Sequence, residues 1–126
     1  MDTIMTKPEV FIIEDNDSLS DIFTQAMKVA GFEIRTAANG LEAFDKLAEL
    51  EPAVIILDLY LPGVSGDKIL AYIRNEPRLQ NSKIILTTFD SLMAEKFRDQ
   101  CDFVLLKPVS FSQLRDLGVK LRASLP

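Results

Sequence analysis

Short apolar segments alternate along this chain with longer segments in which apolar residues recur at helical spacing. The short segments hold four to six residues, are rich in Val, Ile, Leu and Phe, and are bounded by turn-forming or charged residues. They span residues 10–13, 33–37, 54–57, 83–88 and 103–106. This pattern predicts five β-strands.

Four of the longer segments carry the apolar spacing and the end signals of amphipathic helices. The first is closed by Gly31, and Asp17 is its expected N-cap. The second and the last begin with the capping pairs Asn39 with Glu42 and Ser110 with Gln113. The third ends before Pro77, because a residue that precedes proline is pushed out of the helical region. One more helix, the fourth in chain order, is expected within residues 91–99 and has the weakest signals. Gly118 should weaken the last helix by about 1 kcal/mol relative to alanine.

Strict alternation of strand and helix predicts the fold class. Parallel neighbours need crossover connections, and these place helices on both faces of the sheet. We therefore expect an α/β doubly wound fold with a parallel sheet. At 126 residues the chain has the length of one ordinary domain. We expect a single domain over residues 1–126 with its ordered core at about 9–125.

Composition and charge narrow the possible partners and compartments. The net charge is −5 and Lys and Arg are not clustered, so we expect no direct contact with nucleic acid. No segment approaches the ~20 apolar residues of a membrane span, and the N-terminus does not resemble a signal peptide, so we expect no membrane contact and a cytoplasmic location. The single cysteine excludes an internal disulfide and agrees with a reducing compartment.

Polar residues of several kinds follow the predicted strands. In a parallel sheet the carboxyl ends of all strands share one edge, and ligands bind there. Three carboxylates, one hydroxyl and one ammonium are expected at that edge, whereas the second strand ends in alanines. The residues concerned are Glu14 and Asp15 after the first strand, Asp58 after the third, Thr88 at the end of the fourth and Lys107 after the fifth.

This set of side chains suits phosphate chemistry with a hard cation. Clustered acids raise one another's pKa unless a cation lies among them. Oxygen ligands without histidine indicate Mg²⁺ before Ca²⁺. Asp58 follows the middle strand, and a carboxylate can attack phosphorus to give an aspartyl phosphate. Each residue alone has an ordinary explanation, such as helix capping or solvation, and only the joint pattern favours a site.

The same residues resemble the receiver domain of response regulators. The resemblance rests on the apolar strand and acidic pair at 10–16, on residues 58–66 (DLYLPGVSG), on Thr88 and on Lys107-Pro108, and it covers about residues 10–125. It implies a five-stranded flavodoxin-like sheet in the order 2-1-3-4-5.

The resemblance also implies roles for the site residues. Asp58 would accept a phosphoryl group from a phosphohistidine on a histidine kinase or a histidine phosphotransfer protein, and the domain would catalyse only its own phosphorylation and dephosphorylation. Asp15 and Asp58 would bind Mg²⁺ directly, the Tyr60 backbone carbonyl would be a further ligand, and Glu14 would act through a water. Thr88 and Lys107 would hold the phosphoryl oxygens, and a changed surface would bind a downstream protein.

Three features depart from the family pattern, all on the face through which receivers usually signal. Phe89 stands where a small residue normally follows the switch hydroxyl. Val104 replaces the usual Tyr or Phe, with Phe103 one place earlier, and the segment 88–107 is about three residues short. Phe89 is therefore expected either to replace the missing aromatic, as a rotating ring or a plug over the pocket, or to fill core volume.

Two other classes of function remain open at this point. One is a pseudo-receiver, a phosphorylation-independent interaction module that keeps the acidic pocket without using it. The other is a small doubly wound enzyme, such as a phosphohydrolase or a flavin- or nucleotide-binding protein. Against the latter, no glycine-rich phosphate loop follows the first strand, where Glu14 and Asp15 would repel a phosphate in the absence of metal.

Overall fold

The fold was analysed in a computed structural model that describes residues 6–126; residues 1–5 of the expected domain lie outside the described part. Five strands alternate with five α-helices, and two short 3₁₀ helices follow α3 and α4. The strands are β1 Glu9–Ile13, β2 Glu33–Ala37, β3 Val54–Asp58, β4 Lys83–Thr88 and β5 Phe103–Leu106. The helices are α1 Asp17–Ala30, α2 Gly40–Leu47, α3 Gly66–Asn75, α4 Ser91–Phe97 and α5 Phe111–Ser124, with 3₁₀ turns at Pro77–Leu79 and Arg98–Gln100.

All strand pairs in the sheet are parallel, and the strand order is β2-β1-β3-β4-β5. This confirms the predicted doubly wound fold and its strand order. Hydrophobic side chains on one face of the sheet pack against α1 and α5, and those on the other face pack against α2, α3 and α4. The direction of connection reverses between β1 and β3, so a crevice opens beyond their carboxyl ends.

The burial of the strands depends on their position in the sheet. Every residue of β3 is buried, and β1 and β4 are buried except at their first residue. The edge strands β2 and β5 keep exposed residues, because each has a hydrogen-bonded neighbour on one side alone. The three inner strands are therefore covered on both faces of the sheet, whereas the edge strands are only partly covered.

The helix boundaries agree with the sequence signals, but two caps differ from the prediction. Asn16, and not Asp17, is the N-cap of α1; its side chain accepts from the Leu19 N–H at 3.0 Å. Glu42 reaches back to the Ala38 N–H at 2.7 Å, one residue before the expected partner. In both cases the extended backbone before the helix brings a different residue within reach. Helix α4 has seven residues, in keeping with the shortened segment that contains it.

The buried Gly118 lets α5 lie directly against α1. A Cβ atom at this position would stand 2.8 Å from the Ala30 Cβ and 2.9 Å from the Met27 Sδ. Real Cβ atoms do not approach this closely, so the glycine allows the close packing of the two helices. The glycine that weakens α5 is therefore also the residue that its close contact with α1 requires. Within residues 6–126, no helix combines the length and the apolar character that crossing a bilayer requires.

Candidate functional site

The carboxyl edge of the sheet brings together the acidic residues that the sequence singled out. Glu14 and Asp15 follow β1, and Asp58 is the last residue of β3. One carboxylate oxygen from each of the three lies within 4.8 Å of the others. Glu14 and Asp58 are 2% and 5% exposed, whereas Asp15 is open to solvent. Two buried carboxylates and one exposed carboxylate therefore converge on one small volume.

Lys107 provides the positive charge within this cluster. It follows β5, and its Nζ donates to the Glu14 Oε1 at 2.8 Å and to the Asp58 Oδ2 at 3.1 Å. Burial opposes its charge, but the hydrogen bond to Glu14 and the charges of Asp58 and Glu14 outweigh that effect and raise the pKa of Lys107. The ammonium is therefore held in its charged form next to the central carboxylate.

For Glu14, burial outweighs the hydrogen bonds and favours the neutral form of the carboxyl group. Burial raises the pKa of Glu14, and the charge of Asp58 adds to this, although the hydrogen bonds from Lys107 and the Asn16 N–H work against it. The two charges that Glu14 and Asp58 carry when ionised share one ammonium, and Asp15 adds a third negative charge at the rim. A cation bound among these oxygens would relieve the remaining repulsion.

The donor set fits a hard divalent cation. The candidate ligands are all carboxylate oxygens, the chain contains no histidine, and its one cysteine, Cys101, follows α4 outside the cluster. Asp15 is exposed and can reach a partly hydrated ion without losing its own solvation. The cluster can therefore hold a metal, with the oxygen chemistry that Mg²⁺ prefers.

The loop after β3 is folded tightly around Asp58. The Tyr60 N–H donates to the Asp58 Oδ1 at 3.2 Å, and the Gly66 N–H donates to the Leu59 carbonyl at 2.9 Å. A Cβ on Gly66 would stand 2.5 Å from the Asp58 carbonyl oxygen and 2.6 Å from that of Leu59. This close approach explains why a glycine opens α3, while the Tyr60 N–H helps to orient the Asp58 carboxylate.

Two adjacent hydroxyls lie at the end of β4, and the sequence argument selected one of them. Thr88 is 1% exposed and its Oγ1 accepts from the Asp90 N–H at 3.1 Å. Thr87 is paired in register with Asp58, and among residues 6–126 its Oγ1 is the buried side-chain polar atom without a hydrogen-bond partner. Sequence reasoning missed Thr87; the available signal was the alternation of side chains along a strand, which places Thr87 and Thr88 on opposite faces of the sheet.

The aromatic residues around the site occupy unexpected positions. Phe89 is 71% exposed, so the expectation that it fills core volume is wrong. Its ring centroid lies 5.3 Å from the Lys107 Nζ, over the ammonium. Val104 packs against the core on the α4 side, whereas Phe103 is partly exposed on the edge strand. Phe89 is thus the aromatic residue that faces the charged site.

The side chain of Tyr60 makes a contact that no sequence signal predicts. Its side chain is exposed, and its hydroxyl donates to the Asp90 Oδ2 at 2.8 Å. This hydrogen bond lowers the pKa of Asp90, after the larger effect of the Met93 N–H, and it raises the pKa of Tyr60. The loops that follow the neighbouring strands β3 and β4 are therefore joined to each other.

Comparison with known proteins agrees with this arrangement. The profile of the response regulator receiver domain matches residues 10–117. The polar-differentiation response regulator DivK of Brucella anthropi is 30% identical over 104 residues, which cover 80% of this chain and 85% of DivK. The phosphate regulon transcriptional regulatory protein PhoB of Rhizobium meliloti is 33% identical over 85% of this chain, which spans about half (48%) of PhoB.

Solved structures give the same fold. The chemotaxis response regulator CheY4 of Vibrio cholerae superposes with a TM-score of 0.83 over 92% of this chain and 99% of that protein, at 23% identity. With the profile match, the DivK relative and the carboxylate cluster at the sheet edge, this chain belongs to the family of response regulator receiver domains, the switches of two-component signalling.

Proposed function

We propose that this protein is a phosphorylation switch in which Asp58 accepts a phosphoryl group in a Mg²⁺-dependent reaction. The donor is a phosphohistidine on a histidine kinase or a histidine phosphotransfer protein. Residues 9–125 act as one receiver unit that catalyses only its own phosphorylation and dephosphorylation. The phosphorylated form presents a changed surface to a downstream protein.

The observation that carries this proposal is the environment of the Asp58 carboxylate. It is nearly buried at the end of the central strand, 3.1 Å from an ammonium and within a cluster of two further carboxylates. Such an arrangement is costly to maintain unless a cation binds among the carboxylates. With Mg²⁺ bound, the site could also accept the charge of an aspartyl phosphate.

The transfer itself needs one bond to form and one to break. An Asp58 carboxylate oxygen attacks the phosphorus, the P–N bond of the phosphohistidine breaks, and its electron pair returns to the imidazole nitrogen, which then takes up a proton. Asp15, Asp58 and the Tyr60 carbonyl, with Glu14 acting through a water, are the groups proposed to hold Mg²⁺, which when bound would neutralise charge on the phosphoryl oxygens. Return to the resting state is hydrolysis, in which water attacks the phosphorus, the P–O bond to Asp58 breaks, and inorganic phosphate and a proton leave.

The remaining residues stabilise the transferred group. The Lys107 ammonium, now shared by Glu14 and Asp58, is close enough to turn toward a phosphoryl oxygen. The Thr88 hydroxyl lies at the same edge and is proposed to donate to another phosphoryl oxygen. Because little covalent work is left to the protein, positioning and charge balance supply most of the catalysis.

The proposal is tested by intact-mass measurement after incubation with Mg²⁺ and a small phosphodonor such as acetyl phosphate. The wild-type protein should gain one phosphoryl group, about 80 Da, and removal of Mg²⁺ should prevent the gain. Asp58→Asn should abolish it, whereas Asp45→Asn on the exposed side of α2 should not. Robust labelling of Asp58→Asn, or no labelling of wild type by small donors or kinases, would instead favour an interaction module that works without phosphorylation.

A further inference from the structure

Thr87 carries a buried hydroxyl that no packing argument explains. The residue is 1% exposed, and its Oγ1 has no hydrogen-bond partner within the described part of the chain. By contrast, the buried hydroxyl of Ser82 donates to the Pro52 carbonyl at 2.6 Å. A buried hydroxyl without a partner destabilises a fold relative to valine, which has the same branched shape and no polar atom. Packing alone therefore favours valine at position 87.

The Thr87 side chain lies on the same face of the sheet as Asp58. Side chains alternate between the two faces along a strand. Ile85 and Ile56 both belong to the core cluster on the α1 and α5 side, so Thr87 and Asp58, each two residues later, face that side as well. The two residues are also register partners on neighbouring strands, whose backbones lie about 5 Å apart. Thr87 and Asp58 are therefore adjacent on one face.

Two further contacts tie Thr87 to the charged site. The Leu59 N–H donates to the Thr87 carbonyl at 3.1 Å, which fixes the end of β3 against Thr87. Lys107 follows β5, yet its Nζ donates to the Asp58 Oδ2 at 3.1 Å, and β4 lies between β5 and β3. The Lys107 side chain therefore extends across the end of β4, where Thr87 is the last residue on the face of Asp58.

Phosphorylation would bring new acceptors to this hydroxyl. In the resting protein each Asp58 oxygen already has a donor, since Oδ1 accepts from the Tyr60 N–H at 3.2 Å and Oδ2 accepts from Lys107. A phosphoryl group adds three strong acceptor oxygens to the Asp58 side chain. Rotation about one side-chain bond is enough to redirect the Thr87 hydroxyl. An unused donor thus lies next to the place where negative charge increases.

We propose that Thr87 is a further residue of the phosphoryl site, whose hydroxyl donates to an oxygen of the phosphorylated Asp58 side chain. The inference rests on the proposed function and adds a second hydroxyl to the site. Because the hydroxyl gives up no hydrogen bond of the resting fold, the new bond to a charged group stabilises the phosphorylated form without an opposing loss.

The test uses Thr87→Val, which keeps the branched shape of the side chain and removes its hydroxyl. The probe is beryllofluoride, a phosphoryl analogue that binds an aspartate carboxylate together with Mg²⁺, and its binding is followed by ¹⁹F NMR. Thr87→Ser restores the hydroxyl. The matched control is Thr36→Val, the same change at an exposed position of β2, the strand that ends without a site residue. Mg²⁺ affinity is measured separately by thermal melts, because the proposed metal ligands are intact in every variant.

Thr87→Val should have opposite effects on the two measurements. It should weaken beryllofluoride binding about 10-fold, as expected for the loss of one hydrogen bond to a charged group, with Mg²⁺ affinity unchanged. Without ligand it should melt at or above the wild-type temperature, because it removes a buried polar group that has no partner in the resting fold. Thr87→Ser should retain most of the affinity for beryllofluoride, and Thr36→Val should bind as wild type does.

Three outcomes overturn the inference while leaving the proposed function intact. The first is wild-type affinity for beryllofluoride in Thr87→Val, and the second is an equal loss in Thr87→Val and Thr87→Ser, which would mean that the hydroxyl is not what matters. The third is a clear loss of stability, or of folding, in ligand-free Thr87→Val, which would give the hydroxyl a structural role. If the wild-type protein itself binds no beryllofluoride with Mg²⁺ and takes up no phosphoryl group, the proposed function fails, and the inference fails with it.

Discussion

Truncation of Phe89 tests whether its exposed ring blocks access to Asp58 or only contributes to stability. Phe89 follows Thr88, and its ring lies 5.3 Å from the Nζ of the nearly buried Lys107. Asp58 and Lys107 are both almost fully covered, and the Phe89 ring is one of the groups that lie beside Lys107. We expect Phe89→Ala to speed labelling of Asp58 by small phosphodonors severalfold and to speed loss of the aspartyl phosphate by admitting water.

The expected cost in stability follows from the exposure of the ring. Truncation of a fully buried phenylalanine costs about 3–5 kcal/mol. Phe89 is 71% exposed, so less than a third of that burial is at stake, roughly 1 kcal/mol. The cation–π contact with Lys107 adds about 0.5–1 kcal/mol. The free energy of unfolding should therefore fall by about 1–2 kcal/mol.

Paired measurements of the phosphorylation rate by intact mass and of stability by denaturant melts provide the assay. Leu92→Ala is the matched control, because Leu92 is 81% exposed in the first turn of α4 and lacks the contact with Lys107. Phe89→Leu retains bulk without the aromatic charge distribution, so it should keep slow rates if the ring acts by blocking access. Unchanged rates in Phe89→Ala, whatever its stability, would refute the plug.

Three further predictions concern the metal, the helix interface and pH. Mg²⁺ at ten times its dissociation constant should stabilise the wild-type protein by about 1.4 kcal/mol. A thermal melt should lose this gain in Asp15→Asn and keep it in the control Asp17→Asn. Gly118→Ala should lower the free energy of unfolding by about 1 kcal/mol, because overpacking against α1 costs about 1–3 kcal/mol and the higher helix propensity of alanine restores only about 1 kcal/mol. The control Lys120→Ala, on the exposed side of α5, should show no such loss. An equal response of both variants would contradict the packing argument. The Ala38 N–H and Lys46 lower the pKa of Glu42 below 4.5, so its contribution to stability is present above that pH and is lost as the pH falls through the lower, folded value. Because the Glu42 side chain is 40% exposed and screened by solvent, Glu42→Gln should be less stable than wild type at neutral pH by only about 0.5 kcal/mol and nearly equal to it below the folded pKa, and a pH-independent difference in denaturant melts would contradict this assignment.

Much of the fold was predictable because its signals are local. The five apolar segments coincide with the strands to within a residue, since a buried parallel strand is recognisable from a short run of apolar side chains. Gly31 closes α1 with φ of 104°, as its position indicated. The caps were less certain, because Asn16 and Asp17 have equally suitable side chains and only the path of the backbone decides which of them reaches the Leu19 N–H.

The residues of the candidate site were likewise predictable only in part. Strand ends and residue types were enough to collect Glu14, Asp15, Asp58 and Lys107 at one edge, because parallel topology places all carboxyl ends together. They were not enough to single out Thr87, because its register with Asp58 and its unpartnered hydroxyl are visible only in the folded sheet.

The sequence by itself determined the order of strands and helices, the burial of the inner sheet and the residues that meet at its carboxyl edge. These properties depend on the periodicity of apolar residues and on the direction of each strand, both of which can be recognised from the sequence. Only the tertiary structure decided that Phe89 is exposed over Lys107 and that Tyr60 bonds to Asp90. Such contacts join residues of different loops, and their geometry depends on how β3, β4, β5 and α4 pack together.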